Sequence, residues 1–161
     1  MNGSNRPLRW LALSALACAI LVFAANTQGE QGGDKMPSKV KLKATASKID
    51  KNGQQVVTIK MEVDKDWHAY ANPVQNELLE AAQTTVEVKS GKKLDAVVAY
   101  PQGKKHVDGK ESYYVYEGQL EIMATVKRPP GDTGPLEVKV SFMTCNDKTC
   151  LPPESVVLNV K

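Results

Sequence analysis

Residues 136–161 read LEVKVSFMTCNDKTCLPPESVVLNVK. Apolar and polar residues alternate from Leu136 to Phe142, and the same alternation returns from Val156 to Val160. A period of two is typical of a strand that buries one face and exposes the other. The two segments therefore predict antiparallel strands joined by a hairpin, and this hairpin carries two cysteines, Cys145 and Cys150.

The same alternation recurs upstream of the hairpin. Strands of this kind are predicted over residues 40–46, 57–63, 84–88, 94–100 and 120–126. Asn52-Gly53 is typical of a tight turn between two strands, and the proline- and glycine-rich stretch 128–135 is typical of a loop. Only residues 76–83 favour one or two helical turns. Seven or eight short strands with turns between them predict an all-β protein, an antiparallel β-sandwich.

The N-terminus has the layout of a secretory signal peptide. Arg6 and Arg9 precede an apolar run over residues 10–24, and a polar, glycine-rich stretch follows. The run is shorter than the roughly 20 residues that a membrane-spanning helix needs. The sequence thus predicts an exported, periplasmic chain with a signal peptide over residues 1–24, a flexible leader over 25–38 and one domain over 39–161.

Few cysteines remain once this segment is set aside. Cys18 lies inside the apolar run, which continues beyond it, so it is interpreted as part of the signal and not as a lipid-bearing residue. Cys145 and Cys150 are then the cysteines of the exported part. An oxidising compartment should allow them to pair with each other.

Charge and motifs exclude several classes of function. The formal net charge of the whole chain is +3, and the signal segment contributes Arg6 and Arg9 without any acidic residue. The exported part is therefore nearly neutral, which gives no reason to expect a nucleic acid or an anionic membrane as a partner. No phosphate-binding glycine loop or pair of catalytic carboxylates stands out. We expect no cofactor, and we expect the mature domain not to be embedded in a membrane.

The short loop between the cysteines leaves three interpretations open. Closing it contributes only about 2 kcal/mol in the chain-entropy estimate, which weakens the case for a purely structural disulfide. Pro152 and Pro153 cannot donate ladder hydrogen bonds, so we expect the next strand to begin at an edge or irregularly and a sulfur placed there to be reachable. A redox role, a structural disulfide and a metal site therefore remain as alternatives.

A metal site would need further ligands. His68 and His106 are the only histidines, and together with Met143 and the thiols they could suit Cu(I). Isolated histidines are more often solvated or structurally bonded, so we predict no metal. Trp67 and Tyr70 are interpreted as core or rim residues of the sandwich.

Three segments resemble a known family. Residues 145–154, CNDKTCLPPE, are similar to the cysteine hairpin of the N-terminal periplasmic domain of the thiol:disulfide interchange protein DsbD. Residues 66–73, DWHAYANP, and 115–118, VYEG, resemble two other segments of that domain. The resemblance extends over residues 40–161, and the cysteine segment with its double proline is its specific part.

The resemblance implies an immunoglobulin-like fold and a redox-active pair formed by Cys145 and Cys150. Cys150 would be the sulfur that partners attack, and Cys145 would resolve the mixed disulfide. Residues 106–113 would form a loop that shields the pair until a partner displaces it. Among them, His106 and Tyr113, together with Tyr70, would be neighbours of the sulfurs.

Partners are implied in the same way. Members of the family continue into a membrane electron carrier and a thioredoxin-like domain, so we expect both to be separate proteins here, the carrier being of the DsbD or CcdA type. Oxidised exported proteins would be the substrates. The chain would thus be an oxidoreductase component that works only with partner proteins. The competing hypothesis is a non-catalytic immunoglobulin-like binding module with a structural disulfide.

Overall fold

The structure is a computed structural model, and it describes residues 37–161. The predicted signal peptide over residues 1–24, with Cys18 in it, and the predicted leader up to residue 36 lie outside the described residues. Within the described part, no helix is long and apolar enough to cross a membrane.

Residues 37–161 form twelve β-strands and one short 3₁₀ helix, Glu77–Ala82. In chain order the strands are β1 (Val40–Ala46), β2 (Gln54–Val63), β3 (His68–Tyr70), β4 (Thr85–Ser90), β5 (Lys92–Lys93), β6 (Ala96–Ala99), β7 (Lys104–Asp108), β8 (Glu111–Tyr116), β9 (Gln119–Lys127), β10 (Leu136–Phe142), β11 (Thr144–Cys145) and β12 (Glu154–Val160). The helix lies where helical turns were predicted, and the Asn76 side chain caps it by accepting from the backbone N–H of Leu78 at 3.0 Å.

The first sheet has the strand order β1-β2-β9-β6, and all its pairs are antiparallel. Its two long strands place their apolar residues in register, with Val57 opposite Ala124 and Ile59 opposite Ile122. All four side chains are fully buried. The alternation seen in the sequence therefore gives this sheet one apolar face.

The second sheet has the order β12-β10-β4-β5. Val138 lies opposite Val88 in β4, and Val140 lies opposite Val86. The buried side chains of the two sheets form one main core. The architecture is an immunoglobulin-like antiparallel β-sandwich, as predicted.

A third, smaller sheet was not predicted. Its order is β11-β3-β8-β7. β11 follows β10 of the second sheet, whereas β3 follows β2 and β8 precedes β9 of the first sheet. The small sheet therefore extends strands of both large sheets at one end of the sandwich.

The predicted hairpin is present, since β10 pairs with β12 and Cys145 faces Cys150 in an antiparallel bridge, but the ladder is interrupted between these two pairings. The β10–β12 ladder ends at Phe142 opposite Glu154, and β11 then pairs with β3 instead. Pro152 and Pro153 precede β12 and have no N–H to donate, so the ladder cannot continue towards the cysteines. The cysteine turn therefore belongs to the small sheet.

A second core lies within this small sheet. Its buried members are Tyr70, Val74, Val115 and Cys145. The Tyr70 backbone is held firmly, because its carbonyl accepts from the Thr84 hydroxyl at 2.7 Å and from the Thr84 N–H at 2.9 Å. One cysteine is thus built into a packed environment that lies apart from the main core.

Candidate active site

Cys145 and Cys150 form a disulfide, with their Cα atoms 4.0 Å apart. The turn between them is closed by a hydrogen bond from the Asn146 N–H to the Thr149 carbonyl at 2.9 Å. The Asn146 side chain also accepts from the N–H groups of Lys148 and Thr149, both at 2.9 Å. Asparagine stabilises turns in this way, so the residues between the cysteines hold the two sulfurs together.

The two cysteines differ in accessibility. Cys145 is 3% exposed and packs in the second core, whereas Cys150 is exposed. Leu151 is buried after it and anchors the chain, and Pro152 and Pro153 are exposed. A thiolate that approaches from solvent therefore meets Cys150 first.

Tyr70 contacts the buried sulfur. Its hydroxyl oxygen lies 3.4 Å from Cys145 Sγ. The sulfur carries no hydrogen in the disulfide, so the phenol is the donor. Burial, followed by the negative charge of Asp108, raises the pKa of Tyr70, which keeps the phenol protonated at neutral pH.

Both histidines of the chain lie in the same cluster. The ring centroids of His68 and His106 are 5.2 Å apart, and those of His106 and Tyr113 are 5.0 Å apart. Tyr113 in turn lies 5.5 Å from Tyr70. His106 and Tyr113 face each other across the β7–β8 ladder. This hairpin therefore supplies one side of an aromatic cluster whose other side comes from β3.

These residues surround a groove of about 260 Å³ beside the disulfide. Its lining includes both cysteines, both histidines, Tyr70 and Tyr113. Asp108 from the hairpin and Asp147 from the cysteine turn complete the rim. The groove thus combines a disulfide with imidazole, phenol and carboxylate groups.

His68 is a buried base at the side of the groove. It is 8% exposed, and its Nε2 is buried without a hydrogen-bond partner within the described residues. Burial lowers the pKa of His68 most, and the neighbouring His106 lowers it further, while Glu117 and Asp147 act in the opposite direction. The imidazole is therefore neutral at pH 7.

The structure places the residues named from the sequence around one disulfide. The pairing of Cys145 with Cys150 is confirmed. Tyr70, His106 and Tyr113 lie beside it, and their functional roles stay predictions. The sequence analysis considered His68 only as a possible metal ligand and did not predict it as a neighbour of the disulfide, although it lies two residues before Tyr70 in an extended segment and so shares its face.

The described residues contain no group of three or more His, Cys, Asp or Glu side chains that could hold a metal ion. The reactive group that lines the groove is the Cys145–Cys150 bond.

The fold and the site together define an immunoglobulin-like domain that carries a hairpin disulfide with one accessible cysteine. Residues 37–161 match the family described as "Thiol:disulfide interchange protein DsbD, N-terminal". The chain belongs to this family. No curated protein matches the chain.

Solved structures show the same fold. The N-terminal periplasmic domain of ScsB from Proteus mirabilis is 14% identical with a TM-score of 0.61, and the match covers 76% of this chain and 46% of that one. A structure of the complex between the DsbD N-terminal and PilB N-terminal domains from Neisseria meningitidis is 11% identical with a TM-score of 0.54, covering 78% and 87%. This chain thus spans less than half the length of the ScsB structure.

Proposed function

We propose that the Cys145–Cys150 pair relays electrons between a thioredoxin-like protein or membrane thiol carrier and oxidised exported proteins. The observation that carries this proposal is the asymmetry of the pair. Cys150 is exposed, while Cys145 is 3% exposed and contacts the Tyr70 hydroxyl. A disulfide that served only to hold the fold would not need one cysteine open to solvent.

The asymmetry assigns a role to each sulfur. Thiol–disulfide exchange requires a thiolate to approach one sulfur along the S–S bond. A partner thiolate attacks Cys150 Sγ, and a mixed disulfide forms while Cys145 leaves as a thiolate. In the reverse direction Cys145 attacks Cys150 and releases the partner. The Tyr70 phenol can donate to the Cys145 sulfur in either state.

The β7–β8 hairpin acts as the shield in this proposal. His106 and Tyr113 belong to this hairpin, and they line the groove together with both cysteines. Val107, near its tip, is 64% exposed. An apolar side chain at this place offers a contact to a partner that pushes the hairpin aside.

Location and partners follow from the family and from the predicted signal peptide. The related ScsB domain is periplasmic, so we place this domain in the periplasm or an equivalent exported compartment. The DsbD N-terminal domain forms a complex with a PilB N-terminal domain. Docking of a second protein domain onto the cysteine end is the corresponding event for this chain.

A redox titration tests the proposal against a purely structural disulfide. The purified chain is equilibrated with glutathione or dithiothreitol buffers, and the fraction of free thiol is measured. We expect a reduction potential above the roughly −300 mV below which structural disulfides lie. A pair that opens only under far stronger reduction contradicts the proposal and favours the binding-module hypothesis.

Trapping then tests the roles of the two sulfurs. Cys145→Ser leaves Cys150 free to form a mixed disulfide that nothing resolves, so this variant should capture partner proteins. Cys150→Ser is the matched control, since it keeps only the buried thiol and should capture little. Equal capture by both variants would contradict the assignment of Cys150 as the attacked sulfur.

A further inference from the structure

We propose that His68 takes up the proton of the Cys145 thiol when Cys145 closes the disulfide, and returns it when the disulfide opens. The inference rests on the proposed function, because it concerns the same two sulfurs. It adds a proton-transfer residue to that function.

The strand pairing places the His68 side chain on the same face of the small sheet as the Cys145 side chain. His68 lies directly opposite Cys145 in the β3–β11 ladder. Opposed residues in antiparallel strands point to the same face, with Cβ atoms about 4.5–5.5 Å apart. Both side chains line the groove together with Cys150.

The unpartnered nitrogen of His68 is the second observation. Nε2 is the one buried side-chain nitrogen or oxygen without a hydrogen-bond partner among residues 37–161. Such atoms are rare in folded proteins, and each calls for an explanation. Reduction turns Cys145 into a thiol, which is a donor, beside a neutral imidazole that has an acceptor nitrogen to offer. His68 Nε2 lacks a donor in the oxidised protein. The Cys145 thiol can supply this donor only after the disulfide has been reduced.

The groups around His68 favour proton uptake from a thiol. Burial and then His106 lower the pKa of His68, so the ring is neutral and able to accept at pH 7. Glu117 and Asp147 act in the opposite direction and favour the imidazolium once it has formed. A thiolate at Cys145 adds a third negative charge on the same side.

Other groups near the sulfurs are less suited to accept this proton. Burial raises the pKa of Tyr70, so its phenol remains a donor. Glu117 forms an ion pair with Lys104 at 2.9 Å. Asp108 and Asp147 are exposed. Among residues 37–161, His68 is the buried imidazole that faces Cys145 across a strand pair.

In the mixed disulfide, Cys150 Sγ is bonded to the partner sulfur, and Cys145 carries a thiol. The proton of Cys145 moves to His68 Nε2, and the resulting thiolate attacks Cys150 Sγ. The Cys145–Cys150 bond forms as the bond to the partner breaks, and the partner leaves as a thiolate. Over the two halves of the exchange together, the cysteine pair loses two electrons and the partner disulfide gains them, while His68 passes its proton to solvent.

The test follows the two halves of this exchange separately. The reduced full chain is mixed with excess dithiobisnitrobenzoate (DTNB), and release of the coloured thionitrobenzoate is recorded by stopped flow. The first release reports attack by Cys150, and the second reports resolution by Cys145. We expect His68→Gln to slow the second phase by about ten-fold or more at pH 7 while leaving the first within about two-fold.

The pH profile distinguishes proton transfer from loss of packing. Without its proton acceptor, the second-phase rate should fall about ten-fold for each pH unit below the thiol pKa, whereas the wild-type rate should fall less steeply. Lys105→Gln is the control: Lys105 is the exposed neighbour of His106 in β7 and is not among the residues that line the groove, so this variant should leave the second-phase profile close to wild type. A second phase in His68→Gln with wild-type rate and pH profile would overturn the inference.

Two further outcomes keep the inference separate from the proposed function. Absence of the first phase in the wild-type chain would mean that the Cys150 sulfur cannot react with an external disulfide, and both proposals would fail. If His68→Gln does not fold, the imidazole nitrogens of the reduced wild-type chain are titrated by NMR beside Cys145→Ser. A His68 titration that moves between the two supports the coupling, and an unchanged titration overturns it.

Discussion

The Tyr70 hydroxyl oxygen lies 3.4 Å from Cys145 Sγ, inside the second core of the small sheet. Backbone hydrogen bonds fix the position of Tyr70. Its carbonyl accepts from Thr84, and its N–H donates to the Met143 carbonyl at 3.3 Å. A sulfur that is buried loses solvation when it becomes a thiolate. The donated hydrogen bond offsets part of this loss, so Tyr70 makes the buried cysteine a better leaving group.

Replacing Tyr70 with phenylalanine tests this relationship. Tyr70→Phe keeps the ring and removes the donor, and a hydrogen bond of this kind is worth about 1 kcal/mol. We expect the pKa of the Cys145 thiol to rise by about one unit or less. The thiolate absorbance of the Cys150→Ser chain, with and without Tyr70→Phe, measures it. Tyr113→Phe is the control, since Tyr113 contacts the Tyr70 ring, and an equal shift there would argue against a specific hydrogen bond.

The approach of the β7–β8 hairpin to β3 depends on Gly103. A Cβ at this position would lie 2.6 Å from the Ala71 Cβ and 3.0 Å from the Tyr114 Cβ. Gly103→Ala must therefore push the hairpin away, and we expect a loss of about 1–3 kcal/mol in the free energy of unfolding. Gly134→Ala is the control, because the nearest atom there is 3.6 Å away. Chemical denaturation measures the free energy of unfolding of both variants. Equal values for Gly103→Ala and Gly134→Ala would show that the small sheet accommodates the added methyl group.

The main sandwich could be predicted because each of its strands shows the apolar–polar alternation within its own sequence. A strand with one buried face needs only alternation, and Val57, Ile59, Val138 and Val140 are all fully buried, as the alternation predicts. The small sheet could not be predicted in this way. β3 and β11 have three and two residues, too few to show any period. Their pairing is set by the larger strands that lead into them.

The site was predictable only in part for a related reason. Cys145, Cys150 and the double proline lie within one short segment of the sequence, so the disulfide and its redox role could be inferred from that segment alone. His68 and His106 are far apart in the chain and look isolated. They come together because β8 pairs with both β3 and β7. In the sequence, only the spacing of two residues between His68 and Tyr70, which puts both side chains on one face of a strand, could have indicated that His68 lies near the disulfide.

Removing the disulfide should cost little stability. The Cys145→Ser, Cys150→Ser chain loses the constraint of a short loop, which amounts to about 2 kcal/mol. The main core does not include either cysteine, so we expect the sandwich to fold cooperatively with a slightly lower midpoint. Urea denaturation of the oxidised wild type and the double variant measures the difference. A double variant that fails to fold would assign the disulfide a structural role.

The loop between β9 and β10 contains a buried cation whose partner should make stability depend on pH. Arg128 is 4% exposed. Its Nη2 donates to Asp132 Oδ1 at 2.9 Å and to the Gly134 carbonyl at 2.6 Å, and its Nη1 donates to Gln55 Oε1 at 3.3 Å. The Ser90 hydroxyl donates to the same Asp132 oxygen at 3.0 Å. One carboxylate thus connects the loop with β4 and with the buried guanidinium.

The hydrogen bond from Ser90, with further contributions from Gly134 and Arg128, lowers the pKa of Asp132 below its ordinary value of 3.8. The unfolded chain therefore binds this proton more readily than the folded chain. The stability contributed by the carboxylate is complete above the ordinary value and is lost as the pH falls through the folded pKa. Asp132→Asn should be less stable than wild type at pH 7, and the difference should shrink in acid. Denaturation of wild type and Asp132→Asn at pH 7 and near pH 3 measures the difference in stability. Asp95→Asn is the control, because Asp95 is an exposed carboxylate outside the cluster. A stability difference between wild type and Asp132→Asn that stays constant with pH would contradict the role of Asp132.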